Sequence, residues 1–192
     1  MRIVVVNHVT LDGVMQGPGR PDEDTRDGFT RGGWAEPRGD EIQDRAWAAR
    51  LGNSGGLLLG RRTYEDVLGY WNTQDSPFRA ALNNTPKYVV SRTLTPPLPW
   101  PNSTLLDGDL KTAVSELKRA EGKDLHIMGS GELIRSLGAL GLIDEYMLSI
   151  HPIVLGTGHR LFSDGFDLGE FELVEATPTT TGVLIATYRP AA

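Results

Sequence analysis

Leu125-His126-Ile127-Met128-Gly129-Ser130-Gly131-Glu132-Leu133 is the stretch on which the fold turns. Four strand-like residues run into two glycines one residue apart. A helical pattern then begins at once, with Leu133, Ile134, Leu137 and Leu140 spaced to share its buried side. Glycine lets a backbone turn sharply and approach another group closely. A helix starting near Ser130 aims free N–H groups and the positive end of its dipole above the strand, which suits a pyrophosphate. Strand, glycine turn and helix in succession are the unit of a parallel α/β sheet, whose ligands bind beyond the strand ends.

Toward the N-terminus the unit repeats. Leu57-Leu58-Leu59 is a buried strand that runs straight into Gly60-Arg61-Arg62-Thr63 and a helix carrying Tyr64, Val67 and Leu68. Ile3-Val4-Val5-Val6 is β-branched without alternation, the pattern of a strand covered on both faces. Asp40 to Leu51 is predicted as a helix with Ile42, Ala46 and Ala49 on one stripe and Trp47 beside them. Lys87-Tyr88-Val89-Val90-Ser91 is a third short strand, and the prolines from Pro96 to Pro101 forbid a helix after it. Leu110, Ala113, Val114 and Leu117 mark an amphipathic helix. Toward the C-terminus, residues 145–151, 171–176 and 183–188 read as strands with no helix between them, an antiparallel addition. The expected fold is α/β, a mostly parallel central sheet with helices on both faces and an antiparallel C-terminal edge. No linker or internal repeat interrupts it, so residues 1–192 are expected to form one domain.

Asp12-Gly13 is a turn signal. The polar stretch from Gln16 to Gly33 that follows is long for a connection within a domain. It reads either as a lid over a ligand or as a disordered surface loop.

The net charge of −6 argues against a broad grip on nucleic acid or an anionic membrane. With no cysteine there is no thiolate chemistry, and His8, His126, His151 and His159 lack close ligand spacing, so no metal is expected. No apolar run approaches the ~20 residues that span a bilayer, and the N-terminal run is too short for a signal peptide core; the protein is expected in the cytoplasm.

Three segments converge on one edge of such a sheet: Gly60 to Thr63, Ser91-Arg92, and Gly129 to Leu133. Arg61 or Arg62 offers a planar fork to a phosphate monoester. Both stand at a helix start, where a cation is mildly unfavourable unless an anion binds there. Thr63 is expected to cap that helix.

In this order the segments resemble the dihydrofolate-reductase-like superfamily, which carries Gly-Arg-x-Thr after the second strand, Ser-Arg after the third and a glycine-rich strand–helix junction later. Thr10-Leu11-Asp12-Gly13, Leu142-Ile143-Asp144-Glu145 and Pro152-Ile153-Val154-Leu155-Gly156 resemble the reductase domain of bifunctional riboflavin-biosynthesis enzymes. Val14 stands where that branch commonly carries a lysine. The resemblance implies NADPH as cofactor. Gly60, Arg61, Arg62, Thr63, Ser91 and Arg92 would hold the adenosine side and its 2′-phosphate. Gly129, Ser130, Gly131, Glu132 and Leu133 would cradle the pyrophosphate, with the nicotinamide near Met15, Gln16 and Gly17. Asp12 and Gly13 would face the substrate. Counting back from Gly60 places Asp44 as the acid that protonates it, with Glu41 as the alternative. The function implied is hydride transfer to a small pterin-like or ribosyl-pyrimidinone-like heterocycle. The competing reading is an NADP(H)-binding protein of the same fold without turnover. The apolar C-terminal region, with Met147, Ile150 and Phe162, is expected to support a homodimer.

Overall fold

The computed structural model describes residues 1–162 and 169–191. Its strands are β1 (Ile3–Thr10), β2 (Gly56–Gly60), β3 (Lys87–Val90), β4 (Ser103–Leu106), β5 (Leu125–Ile127), β6 (Glu145–His151), β7 (Phe171–Pro178) and β8 (Leu184–Pro190). The helices are α1 (Glu41–Gly52), α2 (Arg61–Thr73), α3 (Pro77–Asn84), α4 (Leu110–Arg119) and α5 (Gly131–Ala139). The strands form one sheet in the order β4-β3-β2-β5-β1-β6-β8-β7. Every pairing from β4 to β6 is parallel, and β8 and β7 close the sheet antiparallel. The mixed α/β fold with an antiparallel C-terminal edge is therefore present. One element differs from expectation: β6 belongs to the parallel body, lying beside β1 from Val4↔Glu145 to Thr10↔His151. Helix α5 makes the crossover that sets it there.

Alternation along the strands splits the helices between the faces. Ile3, Val5, Leu58, Leu125 and Ile127 pack with Val114 of α4 and with Leu133, Ile134 and Leu137 of α5. Leu57, Leu59 and Val89 pack on the other side with Tyr64 and Leu68 of α2 and Leu82 of α3. Val4, Val6, Met147 and Ile185 meet Ile42, Ala46 and Trp47 of α1. Three details correct the sequence reading. Strand β1 continues four residues past Val6, because β6 pairs with it to Thr10. Ala49 is exposed, and Gln43 is the buried residue of α1. Leu140 is the residue after the last turn of α5 and is 36% exposed.

The strands begin over a cluster of charges. Glu145 is almost wholly buried, with Arg50 at 2.7 Å, Arg189 at 3.0 Å and Arg2 at 3.2 Å. Arg2 also pairs with Asp124, and Lys118 with Asp144. This network ties the start of β1 to β6, β8 and α1.

Candidate functional site

At the upper ends of β1, β2 and β5, side chains hold the backbone in place. Gly129 and Ser130 both lie in the left-handed region, at φ 61° and 59°. That turn costs little at glycine and more at serine. Asn7 of β1 clasps it: the Gly129 N–H donates to Asn7 Oδ1 at 2.7 Å, and Asn7 Nδ2 donates weakly back to the Gly129 carbonyl. The Gly60 N–H donates to Ser130 Oγ at 3.0 Å, and the Ser130 N–H to Thr63 Oγ1 at 2.9 Å. Thr63 thus does not cap α2; its hydroxyl is spent on the neighbouring loop. A Cβ on Gly129 would meet Thr63 Cγ2 at 3.1 Å, and one on Gly131 would meet Met15 Sδ at 3.0 Å.

These bonds leave two adjacent helix starts open. Asp40, Ser76 and Asp109 accept backbone N–H groups at the starts of α1, α3 and α4. Helices α2 and α5, which follow neighbouring strands, have no side-chain cap. Their first N–H groups have no acceptor within their own helices and point out beyond β2 and β5. Two helix dipoles converge on one place, the arrangement that binds an anion.

Arg61 and Arg62 flank it. Arg61 pairs with Glu65 at 3.0 Å, and Arg62 with Glu132 across the groove at 3.1 Å. All four side chains are about half exposed or more. Ser91 Oγ accepts from the N–H groups of Thr93 and Leu94 and shapes the turn after β3, where Arg92 projects into solvent. Leu133 is in the core, so only its backbone faces the groove.

The stretch from Gln16 to Gly33 is an ordered cover. Buried Gln16 donates to Asp24 and to the Arg26 carbonyl, and accepts from the His159 N–H at 2.9 Å. Trp34 Nε1 donates to the Gln16 carbonyl at 2.8 Å, and the Gly17 carbonyl accepts from Gly33. Val14, fully buried, packs with Phe29, Trp34 and Leu155, surroundings closed to a lysine. At the tip Arg20 crosses to α2, donating to Asp66 at 2.7 Å with its guanidinium 4.0 Å from the Tyr70 ring centroid.

The residues expected to face the substrate are arranged otherwise. Asp12 accepts from Thr10 Oγ1 and from the N–H groups of Leu155 and Gly156. The Thr10 hydroxyl, opposed by partial burial and aided by these amides, holds its carboxyl down at about 2. Gly13, at φ 79°, forms the tight turn beside it. Both brace the segment 155–161. Asp44 and Glu41 stand on the exposed side of α1, and Glu41 pairs with Arg45. Helical residues are about 100° apart, so the inward place one residue before Asp44 falls to Gln43.

The surface that α1 faces holds groups not singled out in the sequence. His8 of β1 stacks on Trp47, with centroids 4.5 Å apart and planes 21° apart. Its Nδ1 is 2.9 Å from Nε2 of His151 on β6, and Trp34 packs edge-on against His151. Trp47 Nε1 donates to Ser149 Oγ at 3.0 Å. Burial pushes the His8 imidazolium down to about 3, helped by its neighbour, and that of His151 to about 4, helped by Arg38. Both rings are neutral at pH 7. Separations of 143 residues between the two histidines and 102 between Trp47 and Ser149 explain why spacing gave no signal.

Known proteins share this architecture. The family model "RibD C-terminal domain" matches residues 2–185. YyaP, an uncharacterized protein of Bacillus subtilis (strain 168), is 31% identical over 138 residues, 69% of this chain and 72% of that protein. The crystal structure of a protein from Shewanella sp. PV-4, provisionally assigned to riboflavin biosynthesis, superposes over 100% of both chains with a TM-score of 0.79 at 24% identity. Dihydrofolate reductase from Enterococcus faecalis, complexed with NADP(H), superposes over 100% of this chain and 97% of its own with a TM-score of 0.62 at 13% identity. The fold is that of dihydrofolate reductase, and the chain belongs to the RibD C-terminal domain family.

Proposed function

We propose that the protein is an NADPH-dependent reductase that transfers hydride to a small heterocycle of pterin-like or ribosyl-pyrimidinone-like type. The observation that carries this reading is the pair of uncapped helix starts at α2 and α5, stitched together by Ser130 and Thr63. A pyrophosphate supplies the acceptors that those N–H groups lack. Bound there, the cofactor would supply hydride to the carbon of a C=N or C=O bond, and the proton taken up by the nitrogen or oxygen would come from solvent water, since Asp44 and Glu41 stand on the exposed side of α1.

This chain's own residues bind, orient and exclude water. Gly131, Glu132 and Leu133 present free backbone N–H groups to the pyrophosphate, while Gly60, Gly129 and Ser130, whose N–H groups are bonded within the protein, shape the turn beneath it. Arg61, Arg62 and Arg92, with Ser91, receive the 2′-phosphate. The partners that Arg61 and Arg62 now hold are exposed acids, and such pairs contribute only about 0–1 kcal/mol, so a phosphate displaces them readily. Met15, Gln16 and Gly17 lie along the nicotinamide end, where Met15 already covers Gly131. The Arg20 tip closes over the groove and keeps out water.

Titration should show NADPH binding at least about tenfold tighter than NADH, a margin of roughly 1.4 kcal/mol. Arg61→Ala with Arg62→Ala should erase the preference; equal affinity in the unmodified protein would defeat the phosphate assignment. NADPH oxidation followed against dihydropterins, dihydrofolate and ribosyl-pyrimidinones then identifies the substrate. The second reading, a binding protein without turnover, is favoured by one observation: the inward face of α1 carries an amide, not an acid. Tight NADPH binding with no oxidation across that panel selects it.

The reading includes a homodimer. Strand β7 is one edge of the sheet, and Phe162, Phe171, Leu173, Val174 and Leu184 expose apolar surface around it. Sedimentation should give about twice the monomer mass, and Leu173→Lys should halve it.

A further inference from the structure

One salt bridge crosses the groove and joins its two anion-facing helices. Arg62 is the second residue of α2 and Glu132 the second residue of α5. Seventy residues apart in the chain, their side chains meet at 3.1 Å with 56% and 72% of their surfaces exposed. An acid in the first turn of a helix is favoured by the dipole. Glu132 nevertheless bonds none of the free N–H groups of α5 among the described residues; its carboxylate reaches across to α2.

Other cations stand close to this carboxylate. The Arg26 guanidinium, on the cover, is held above its usual range first by its bond to Asp24 and, against partial burial, also by Glu132 and Asp27. Arg135 reaches one turn back along α5, its Nη1 3.5 Å from where a Cβ on Gly131 would stand, and has no acid partner among the described residues. Glu145 offers a measure. It also has arginines around it, but its side chain is 2% exposed and its bonds are permanent. Glu132 is open to water, so its bond to Arg62 is exchangeable. The Glu132 N–H suits a pyrophosphate, while the side chain of the same residue sets a negative charge beside it.

We propose that Glu132 is a specificity-determining residue, an internal counter-ion that couples the two phosphate sites and makes binding depend on the 2′-phosphate. This rests on the NADPH reading and deepens it. With NADPH, the 2′-phosphate takes Arg62, and the released Glu132 side chain turns to solvent, away from the pyrophosphate. With NADH nothing competes for Arg62. The bridge then stays, its carboxylate is fixed beside the pyrophosphate, and like charges repel. Arg62 is also withheld from the pyrophosphate. Part of the preference for NADPH thus comes from a repulsion against NADH, not only from an attraction to the extra phosphate.

Glu132→Gln keeps the side chain's shape and removes its charge. In calorimetric titrations at low salt it should tighten NADH about fivefold and NADPH about twofold or less, the scale of an exposed ion pair. The preference should narrow although Arg61 and Arg62 are intact. In an Arg62→Ala background the bridge is already gone, and Glu132→Gln should act equally on both nucleotides. Equal tightening with Arg62 present, or an NADH affinity unchanged by Glu132→Gln, overturns the proposal. Glu132→Ala should give the same order as Glu132→Gln, and the opposite order overturns it equally. An unmodified protein that binds NADPH, with a preference that Glu132→Gln does not narrow, defeats this inference alone. Failure of the unmodified protein to bind either nucleotide defeats the cofactor reading, and this inference with it.

Discussion

At the start of β6, Glu145 is sealed among the guanidinium groups of Arg2, Arg50 and Arg189; at the end of the same strand, His151 is sealed with a second imidazole as its partner. The lower end of the sheet binds its elements together with opposed charges. The upper end holds neutral rings, glycine backbone and two uncapped helices. Among the described residues, one end is built on ion pairs and the other on backbone and neutral side chains. Stability and binding should therefore separate along a single strand.

Acid should produce the largest effect. His8 is held at about 3, and His126 and His151 at about 4, against an ordinary 6.5. Between pH 6.5 and 4 the unfolded chain takes up protons on these rings and the folded chain does not. Stability is complete above pH 6.5 and falls as pH drops toward 4, each ring contributing a loss of about 1.4 kcal/mol per pH unit. Urea midpoints measured across that range should fall by an amount worth several kcal/mol. The response also divides the two ends. His126 belongs to the lower end, where burial and then the charge of Arg50 depress it. His126→Gln should remove only its own share of the slope and leave the larger share with His8 and His151. A flat stability profile from pH 7 to 4.5 would mean that the upper rings are not sealed in solution.

Glu145→Ala comes next. It leaves three arginines without the one acid buried among them, and losing a partner from a buried pair costs roughly 3–5 kcal/mol. Arg2 and Arg189 are about half exposed and can turn to water, so the lower figure is expected. Thermal unfolding should show the loss, and NADPH affinity of the folded protein should stay the same. Weaker NADPH binding would mean that the two ends are coupled through β1 or β6.

The same contrast marks what the sequence disclosed. Strands β2 and β5 were legible because each is a short, mostly apolar run followed by a glycine turn, and the turns after them are contiguous in the chain. Strand β4 was not: Ser103–Leu106 follows a proline connector and is only partly buried, as an edge strand. Helix α3 was missed although Ser76-Pro77 announces its start, because eight residues hold too few turns to show a period. The anion cradle could be read from adjacent residues. The cluster of His8, Trp47, Ser149 and His151 could not, since it forms only through pairing of β1 with β6 and docking of α1. Counting back from Gly60 lands on Asp44, which is exposed, while its neighbour Gln43 takes the buried side of α1.

Asn7→Leu tests the upper end where it depends on β1. The substitution keeps the forked heavy-atom shape of asparagine and removes the clasp on Gly129, whose N–H then has no acceptor. The unpaired group should cost about 1–3 kcal/mol of stability. It should cost binding too, because a looser turn no longer holds the Gly131 and Glu132 N–H groups where a pyrophosphate would need them. About a tenfold loss of NADPH affinity is expected, with the preference over NADH retained because Arg61 and Arg62 are untouched. Unaltered affinity would show that Thr63 and Ser130 suffice to shape the cradle.

The smallest effect belongs to Arg20→Ala. Arg20 bridges the cover to α2 through a partly exposed pair with Asp66 and through the Tyr70 ring. Such contacts contribute about 0.5–1 kcal/mol each at exposed sites. The folded protein should lose little, since Gln16 and Trp34 still anchor the base of the cover. NADPH dissociation should quicken severalfold, and raising salt should mimic the substitution in the unmodified protein by screening the Asp66 pair. If dissociation is unchanged, the cover is held by its base alone, and its tip crosses the groove without gating it.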